Sequence, residues 1–332
     1  MKKKIIIFGA TGNTGSYITK YALEYFNKEQ YEIIVSGRRK TDFFTKRGIP
    51  YYSVDVIKED DFYQLPTENV YAVILLSAQI PSYMEVYKPK QYVDSIIVGA
   101  FNVLEYCRKV KADRILFMQT VFDVSLYPHD VVLKSDAKPN FSYVGDHAMY
   151  VISKNAAIEM IEHYHQQYGL KKFIFRLPTI YCYSPNPYYC PNGVKSPRPL
   201  YQMINKAMKS EPIEIWGDKN YAKDMVYVYD FAQILCKAVE VDREDGIYNI
   251  GTGIPITLDE QIHTIVDVFS PKNKPSEIVY RPEKISGGGF LMDINNTVKD
   301  LGYKPKYGCK ALFEDIKSEM SINRFLDLRV SK

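Results

Sequence analysis

The chain alternates short, almost wholly apolar runs with longer segments whose apolar residues recur at helical spacing. The first such run is Ile5-Ile6-Ile7-Phe8, and Val70–Ser77 is apolar at nearly every position. Strands without an in/out alternation are expected where a parallel sheet is covered on both faces. Further strands are predicted at Tyr31–Ser36, Ile49–Asp55, Arg114–Gln119 and Lys172–Arg176. Helical spacing predicts helices over about Asn13–Asn27, Gln91–Val110 and His147–Tyr168, the last ended by Gly169. This alternation predicts an α/β fold with a doubly wound parallel sheet. Past Pro178 the texture changes. Tyr183–Pro199 is rich in proline and tyrosine and is expected to be an irregular loop. Helical patterns return near Leu200–Lys209, Asp230–Val239, Leu258–Phe269 and Ala311–Phe325, with a short strand at Ile213–Trp216. The expected organisation is a nucleotide-binding domain over residues 1–180, with sheet returns from the C-terminal half, and a smaller α/β substrate lobe over 181–332.

The first strand runs into Gly9-Ala10-Thr11-Gly12-Asn13-Thr14-Gly15 and then into a helix. A buried strand, a tight glycine turn and a helix N-terminus leave backbone N–H groups free to receive a pyrophosphate. Gly9 is expected to permit the turn, Gly12 to let phosphates approach the backbone, and Gly15 to let helix and strand pack closely. Asn13 and Thr14 stand at the helix start. This is the Rossmann-type arrangement for NAD or NADP. The second strand ends in Ser36-Gly37-Arg38-Arg39, with no acid before Asp42. An acid there holds the ribose 2′-hydroxyl of NAD, whereas arginine accommodates the 2′-phosphate of NADP. Arg38 and Arg39 therefore favour NADP; the alternative is that both are simply solvated.

Composition narrows the class. A chain of 332 residues can bury a large core, and 46% hydrophobic with 25% charged residues is ordinary for a globular protein. A net charge of +4 suits an anionic small molecule and is too weak to argue for nucleic acid. Lys2-Lys3-Lys4 resemble the start of a signal peptide, but the apolar run after them stops at Gly9. No stretch reaches the roughly 18 apolar residues of a membrane span. The five cysteines are scattered, with no C-x-x-C pair, so neither a zinc site nor a disulfide framework is indicated. His163 and His165 are two apart on a predicted helix and cannot share a face, so no metal site is expected. The chain reads as a reduced, cytoplasmic, soluble enzyme.

The candidate chemistry lies in Tyr150-Val151-Ile152-Ser153-Lys154. Positions i and i+4 of a helix share a face, so Tyr150 and Lys154 are expected to point into one cleft. An ammonium near a phenol favours the phenolate, which lets the tyrosine exchange a proton with a substrate hydroxyl near neutral pH. Tyr168/Lys172 and Tyr280/Lys284 have the same spacing, so position in the fold singles out Tyr150/Lys154.

With these motifs in order, the chain resembles an extended short-chain dehydrogenase/reductase of the NAD-dependent epimerase/dehydratase family, in its nucleotide-sugar-modifying branch. Gly9, Gly12 and Gly15 match the family's glycine loop, and Tyr150 and Lys154 its active-site pair. Asn102 matches an asparagine in the helix before the catalytic strand. Arg176-Leu177-Pro178-Thr179-Ile180-Tyr181 resembles the segment beside the nicotinamide. Asp224-Met225-Val226-Tyr227-Val228-Tyr229-Asp230, Tyr248-Asn249-Ile250-Gly251 and Asp300-Leu301-Gly302-Tyr303-Lys304-Pro305 resemble the C-terminal signatures.

The resemblance implies a third catalytic group at Thr120, with Ser125 as the alternative if the loop carries a gap. It also implies cofactor contacts at Asp55 and Val56 (adenine) and at Leu76, Ser77, Ala78 and Gln79 (ribose and phosphates). It implies a further cofactor contact at Asn102 and, beside the nicotinamide, contacts at Leu177, Pro178, Thr179 and Ile180. On the substrate side it implies Gln79, Thr120, Phe122 and Thr179, with Lys223 and Arg281 on the diphosphate. The implied partner is a nucleotide-diphosphate sugar, and the implied assembly a homodimer through the two long helices. Four departures stand out, one being Thr179 where the family commonly has an asparagine. Val121 and Phe122 replace the acids that the family's 4,6-dehydratases carry after the threonine, although Asp123 is near. Cys182 replaces a glycine, and Lys223 replaces an arginine. The expected reaction is epimerisation of a nucleotide sugar, commonly at C4, through a keto sugar. An NADPH-dependent keto-sugar reductase is the alternative, followed by a 4,6-dehydratase or a non-catalytic NADP-sensing module.

Overall fold

Neighbouring residues of the central strands are divided between two cores. Ile5, Ile7, Ile33, Val35, Ala72, Ile74, Leu116 and Met118 face one, and Ile6, Phe8, Ile34, Val73, Leu75, Ile115 and Phe117 face the other. Both strand faces are therefore dry, which is why these segments read as continuous apolar runs. The computed structural model describes residues 1–285 and 289–330. Its main sheet is built from β1 (Lys3–Phe8), β2 (Tyr31–Gly37), β3 (Tyr51–Ser53), β4 (Val70–Leu75), β5 (Arg114–Thr120), β6 (Lys171–Leu177) and β7 (Asp245–Asn249). The strands lie in the order β7-β6-β5-β4-β1-β2-β3, and every pairing is parallel. The order reverses between β1 and β4, and a doubly wound sheet receives its ligand outside the carboxyl ends of such a pair.

Helix α1 (Asn13–Tyr25) packs on the first face, and α2 (Gly99–Val110) and α3 (Ala148–Tyr168) on the second. The chain continues through α4 (Val228–Glu240), α5 (Cys309–Ile322) and α6 (Leu326–Val330). The expected fold class is the one observed. The predicted Ile213–Trp216 strand and Leu258–Phe269 helix have those bounds in the structure.

Four segments differ, each for a local reason. The strand expected over Ile49–Asp55 shortens to β3 at the sheet edge, because Asp55 turns back and accepts the Lys58 N–H at 2.9 Å. The helix expected over Gln91–Val110 starts at Pro89 and contains a π-helical turn over Val93–Val98. Within that turn, Ser95 Oγ donates to the Gln91 carbonyl at 2.6 Å. The helix expected over Ala311–Phe325 divides into α5 and α6 at Asn323, which has φ 44°. The proline-rich loop contains one short antiparallel pair, Tyr188–Tyr189 with Ser196–Pro197.

Close packing of α1 on the turn before it has a direct test. A Cβ on Gly15 would lie 2.2 Å from the Gly9 carbonyl oxygen, with backbone on both sides. Gly15→Ala should destabilise the fold by about 1–3 kcal/mol, read as a lower urea midpoint with unchanged slope.

Candidate active site

The glycine turn sits at the carboxyl end of β1, against the end of β4. Gly9 has φ +88°, and a Cβ there would stand 2.8 Å from the Ser77 nitrogen. Only glycine satisfies both conditions. The Ser36 carbonyl, at the end of β2, accepts N–H bonds from both Gly9 and Ala10 at 2.9 Å. Helix α1 begins at Gly12 without a side-chain cap or an acid in its first turn. Its first internal bond is Ser16 N–H to the Gly12 carbonyl at 3.0 Å. The N–H groups of Asn13, Thr14 and Gly15 thus have no acceptor within the helix. Among the described residues Ser77 Oγ and Asn13 Oδ1, buried beside the turn, have no hydrogen-bond partner, while Asn13 Nδ2 donates to Cys182 Sγ at 2.9 Å. Open amides, a Cβ-free cradle and orphaned polar atoms fit a dinucleotide pyrophosphate and ribose.

The surrounding residues separate into those that face this edge and those that prop it. Arg38 is exposed, with no hydrogen bond or ion pair among the described residues. Arg39 is held: its Nη1 donates to the Leu328 carbonyl of α6 at 3.2 Å. Asn102 Nδ2 donates to the Val56 carbonyl at 2.9 Å, so it fastens the Asp55–Val56 turn. Leu76, Ser77, Ala78 and Gln79 leave β4 half-buried beside the turn. The Gln79 N–H donates to Ser95 Oγ at 3.0 Å, which gives the π-helical turn a purpose in placing this segment.

At the carboxyl end of β5, Thr120, Tyr150 and Lys154 are brought together and are all buried, at 6%, 9% and 4% exposure. Burial pushes the Tyr150 phenol up to about 12, and a weaker side-chain interaction with Thr120 pulls the other way. Burial likewise brings the Lys154 ammonium down to about 7. Lys154 Nζ donates to the Met118 carbonyl at 2.6 Å and lies 5.9 Å from the Tyr150 ring centroid. The expectation that Lys154 lowers the phenol is therefore not met in this state. Desolvation dominates both groups and disfavours the charged form of each.

Residues 5–251 match the sequence profile of the NAD dependent epimerase/dehydratase family. The chain belongs to that family. It is accordingly an oxidoreductase-type enzyme that works with a nicotinamide dinucleotide. A UDP-N-acetylglucosamine 4-epimerase from Bacillus cereus superposes with TM-score 0.76 at 19% identity, covering 96% of this chain and 99% of that one. A UDP-glucose 4-epimerase from Thermotoga maritima superposes with TM-score 0.74 at 21% identity, covering 96% and 99%. A GDP-L-fucose synthase from Sinorhizobium fredii is 23% identical over 312 residues, 92% of this chain and 91% of the relative. At these identities the structural likeness shows the fold.

Several of the residues that match the family signatures prove to be fasteners. Asp224 accepts N–H bonds from Thr252 at 2.8 Å, Gly253 at 3.2 Å and Met292 at 2.7 Å, joining three loops beside Lys223. Asp230 accepts those of Lys306 and Tyr307 at 2.9 and 3.0 Å. Arg176 grips the buried Asp123 carboxylate with Nε and Nη2, both at 3.0 Å, and donates to the Ser135 and Ala137 carbonyls. Asp123 is thus committed to an ion pair.

Of the family-matched substrate positions, Phe122 is 40% exposed and packs its ring 4.1 Å from that of His147. Leu177, Pro178 and Ile180 are half-buried at the end of β6, and Thr179 is exposed. Lys223 Nζ lies 6.0 Å from the Tyr181 ring centroid. Arg281 is exposed and pairs with Glu214 at 3.2 Å, a carboxylate that also holds Lys284 at 2.6 Å. In this state Arg281 is engaged by an acid.

Reading the chain alone misses Gln119 and Asn155. Gln119 Nε2 donates to Asn155 Oδ1 at 2.7 Å, and Gln119 Oε1 accepts the Thr120 N–H at 2.8 Å. Adjacent residues of α3, Lys154 and Asn155, are thereby bonded to adjacent residues of β5. The signal, a buried amide preceding the threonine, is visible only once the strand and helix are paired.

Two measurements follow from these buried charges. Lys154 binds fewer protons folded than unfolded between about 7 and its usual 10.5, so it makes stability rise with pH in that window. Lys154→Met should therefore be more stable than the native protein at pH 7, by on the order of a few kcal/mol, with the gap closing by pH 10 in urea titrations. Asp123→Ala leaves Arg176 unpaired and should cost about 3–5 kcal/mol, read as a lower urea midpoint.

Proposed function

We propose that this enzyme epimerises a nucleotide-diphosphate sugar at C4 through a transient keto sugar. The observation that carries the reading is the buried group at the end of β5: Tyr150 and Thr120 against each other, with Lys154 behind and, among the described residues following Thr120, Asp123 engaged by Arg176. A 4,6-dehydratase must protonate a leaving hydroxyl. Val121 and Phe122 cannot do so, and Asp123 is spent on Arg176.

When bound, the nicotinamide dinucleotide accepts and returns a hydride. In its phenolate form Tyr150 takes the proton of the sugar hydroxyl as its carbon is oxidised, and gives it back after the keto sugar has turned in the cleft. Thr120 hydrogen-bonds the same oxygen. Lys154, charged on the acid side of its lowered pKa, favours the phenolate when it turns toward Tyr150. The free N–H groups of Asn13, Thr14 and Gly15 receive the cofactor pyrophosphate, and Lys223 with Arg281 the substrate diphosphate. For Arg281 this requires release from Glu214. The working assembly is a homodimer through α2 and α3, whose outer faces carry exposed Phe101 and Tyr168, with exposed Val98 in the π-helical turn just before α2.

One observation favours a second reading, an NADPH-dependent keto-sugar reductase. The edge that selects the cofactor presents Gly37 and the unpaired Arg38 in place of an acid, which suits NADP, the usual donor for net reduction.

The two are separated by incubating the protein with UDP-glucose, UDP-N-acetylglucosamine or UDP-glucuronate and either cofactor. Sugar NMR should show a C4 epimer while nicotinamide absorbance is unchanged. With a nucleotide-linked keto sugar supplied separately, stoichiometric loss of NADPH would instead establish the reductase. Tyr150→Phe should lower turnover by about 10²- to 10⁴-fold while leaving cofactor titrations as they were.

A further inference from the structure

Gly37 is the last residue of β2, and its surroundings are unusually closed. A Cβ placed there would lie 2.4 Å from Thr11 Oγ1, 2.9 Å from Thr11 Cγ2 and 3.2 Å from Thr11 Cβ. Rotating the threonine cannot clear all three contacts. Nor can the backbone withdraw. The Gly37 carbonyl accepts the Tyr51 hydroxyl at 2.8 Å and the Val54 N–H at 3.1 Å. On its other side, Ser36 is tied by two bonds to Gly9 and Ala10, the residues just before Thr11. Thr11 is itself 9% exposed, seated inside the glycine turn.

Position 37 lies 22 residues beyond Gly15 at the carboxyl end of β2, the place from which an acidic side chain reaches the ribose 2′-hydroxyl of NAD. We propose that the Thr11–Gly37 contact closes this position to such an acid. The cofactor's 2′ end is then left to Arg38, the next residue, which is exposed and unpaired among the described residues. Arg39 cannot share the task while the Leu328 carbonyl holds it. A turn residue and a strand-end glycine thus act as a matched pair that bars an acid-based NAD site. The inference rests on the reading that this site takes NADP, and its test separates the two.

NADPH and NADH are titrated by fluorescence into the native protein, Arg38→Ala, Thr11→Ala, Gly37→Asp and the double variant Thr11→Ala/Gly37→Asp, with Tm recorded for each. The native protein should bind NADPH more tightly than NADH, and Arg38→Ala should lose roughly tenfold or more for NADPH only, the weight of a charge-assisted hydrogen bond. Gly37→Asp should lower Tm and gain no affinity for NADH. The double variant should recover Tm and bind NADH more tightly than the native protein does. If Gly37→Asp alone keeps its Tm and binds NADH as tightly as the double variant, the Thr11 contact is no barrier and the inference falls, with the NADP reading intact. Should the native protein prefer NADH and ignore Arg38→Ala, the NADP reading itself falls. Gly37→Ala and Thr11→Ala/Gly37→Ala repeat the Tm comparison with the smallest side chain. A Tm drop in the first that the second recovers supports the steric contact whatever the cofactor, and an unchanged Tm in the first overturns it.

Discussion

One carbonyl, that of Ser36, carries two donors from the glycine turn. Its bonds to Gly9 and Ala10 N–H tie the end of β2 to the turn after β1. They consume the first amides of the turn and leave those at the start of α1 for a ligand. The same fastening fixes the height of Thr11 over Gly37 and the approach of Gly9 to Ser77 on β4. Three strand ends, β2, β1 and β4, meet at one point within van der Waals contact. None of these distances tolerates an added methyl group, which is why the turn needs glycine at positions 9 and 15 and the strand end needs it at 37.

Around this point the chain spends its buried charges on geometry. Asp224 gathers three loops beside Lys223, and Asp230 receives two amides of the C-terminal segment. Arg176 fixes both Asp123 and the loop through Ala137. A buried carboxylate with several N–H partners is costly to leave unsatisfied, so each holds its loops in a single arrangement. The cleft is thus lined by loops whose anchors lie below it. That division explains how an acid three residues past Thr120 can be unavailable for catalysis.

The hydrophobic pattern made the sheet and its helices legible, because a strand dry on both faces has an unmistakable composition. The glycine turn was legible through sterics, and Tyr150 with Lys154 through their place on the helix after β5, since two other Tyr/Lys pairs share the spacing. What escaped depends on pairing between distant segments. Gln119 means little until Asn155 stands opposite, and Arg39 looks as free as Arg38 until α6 returns to hold it. The π-helical turn at Val93–Val98 was hidden because its cause, Ser95 bonding both Gln91 and Gln79, includes a partner outside the helix. Spacing also predicted the wrong electrostatics for Tyr150. It places an ammonium nearby but does not record that both groups are dry.

That dryness bears on how the reaction is chosen. With the phenol near 12 and the ammonium near 7, the same desolvation disfavours the charged form of each group. Moving one proton from the phenol to the amine would create two opposite charges that attract each other strongly in a medium of low dielectric. Any substrate hydroxyl seated against Tyr150 and Thr120 meets the same proton-transfer machinery, whether the keto sugar is later reduced on its other face or released. The chemistry at Tyr150 is therefore common to epimerase and reductase. What distinguishes them is whether the dinucleotide stays through the cycle or exchanges after it.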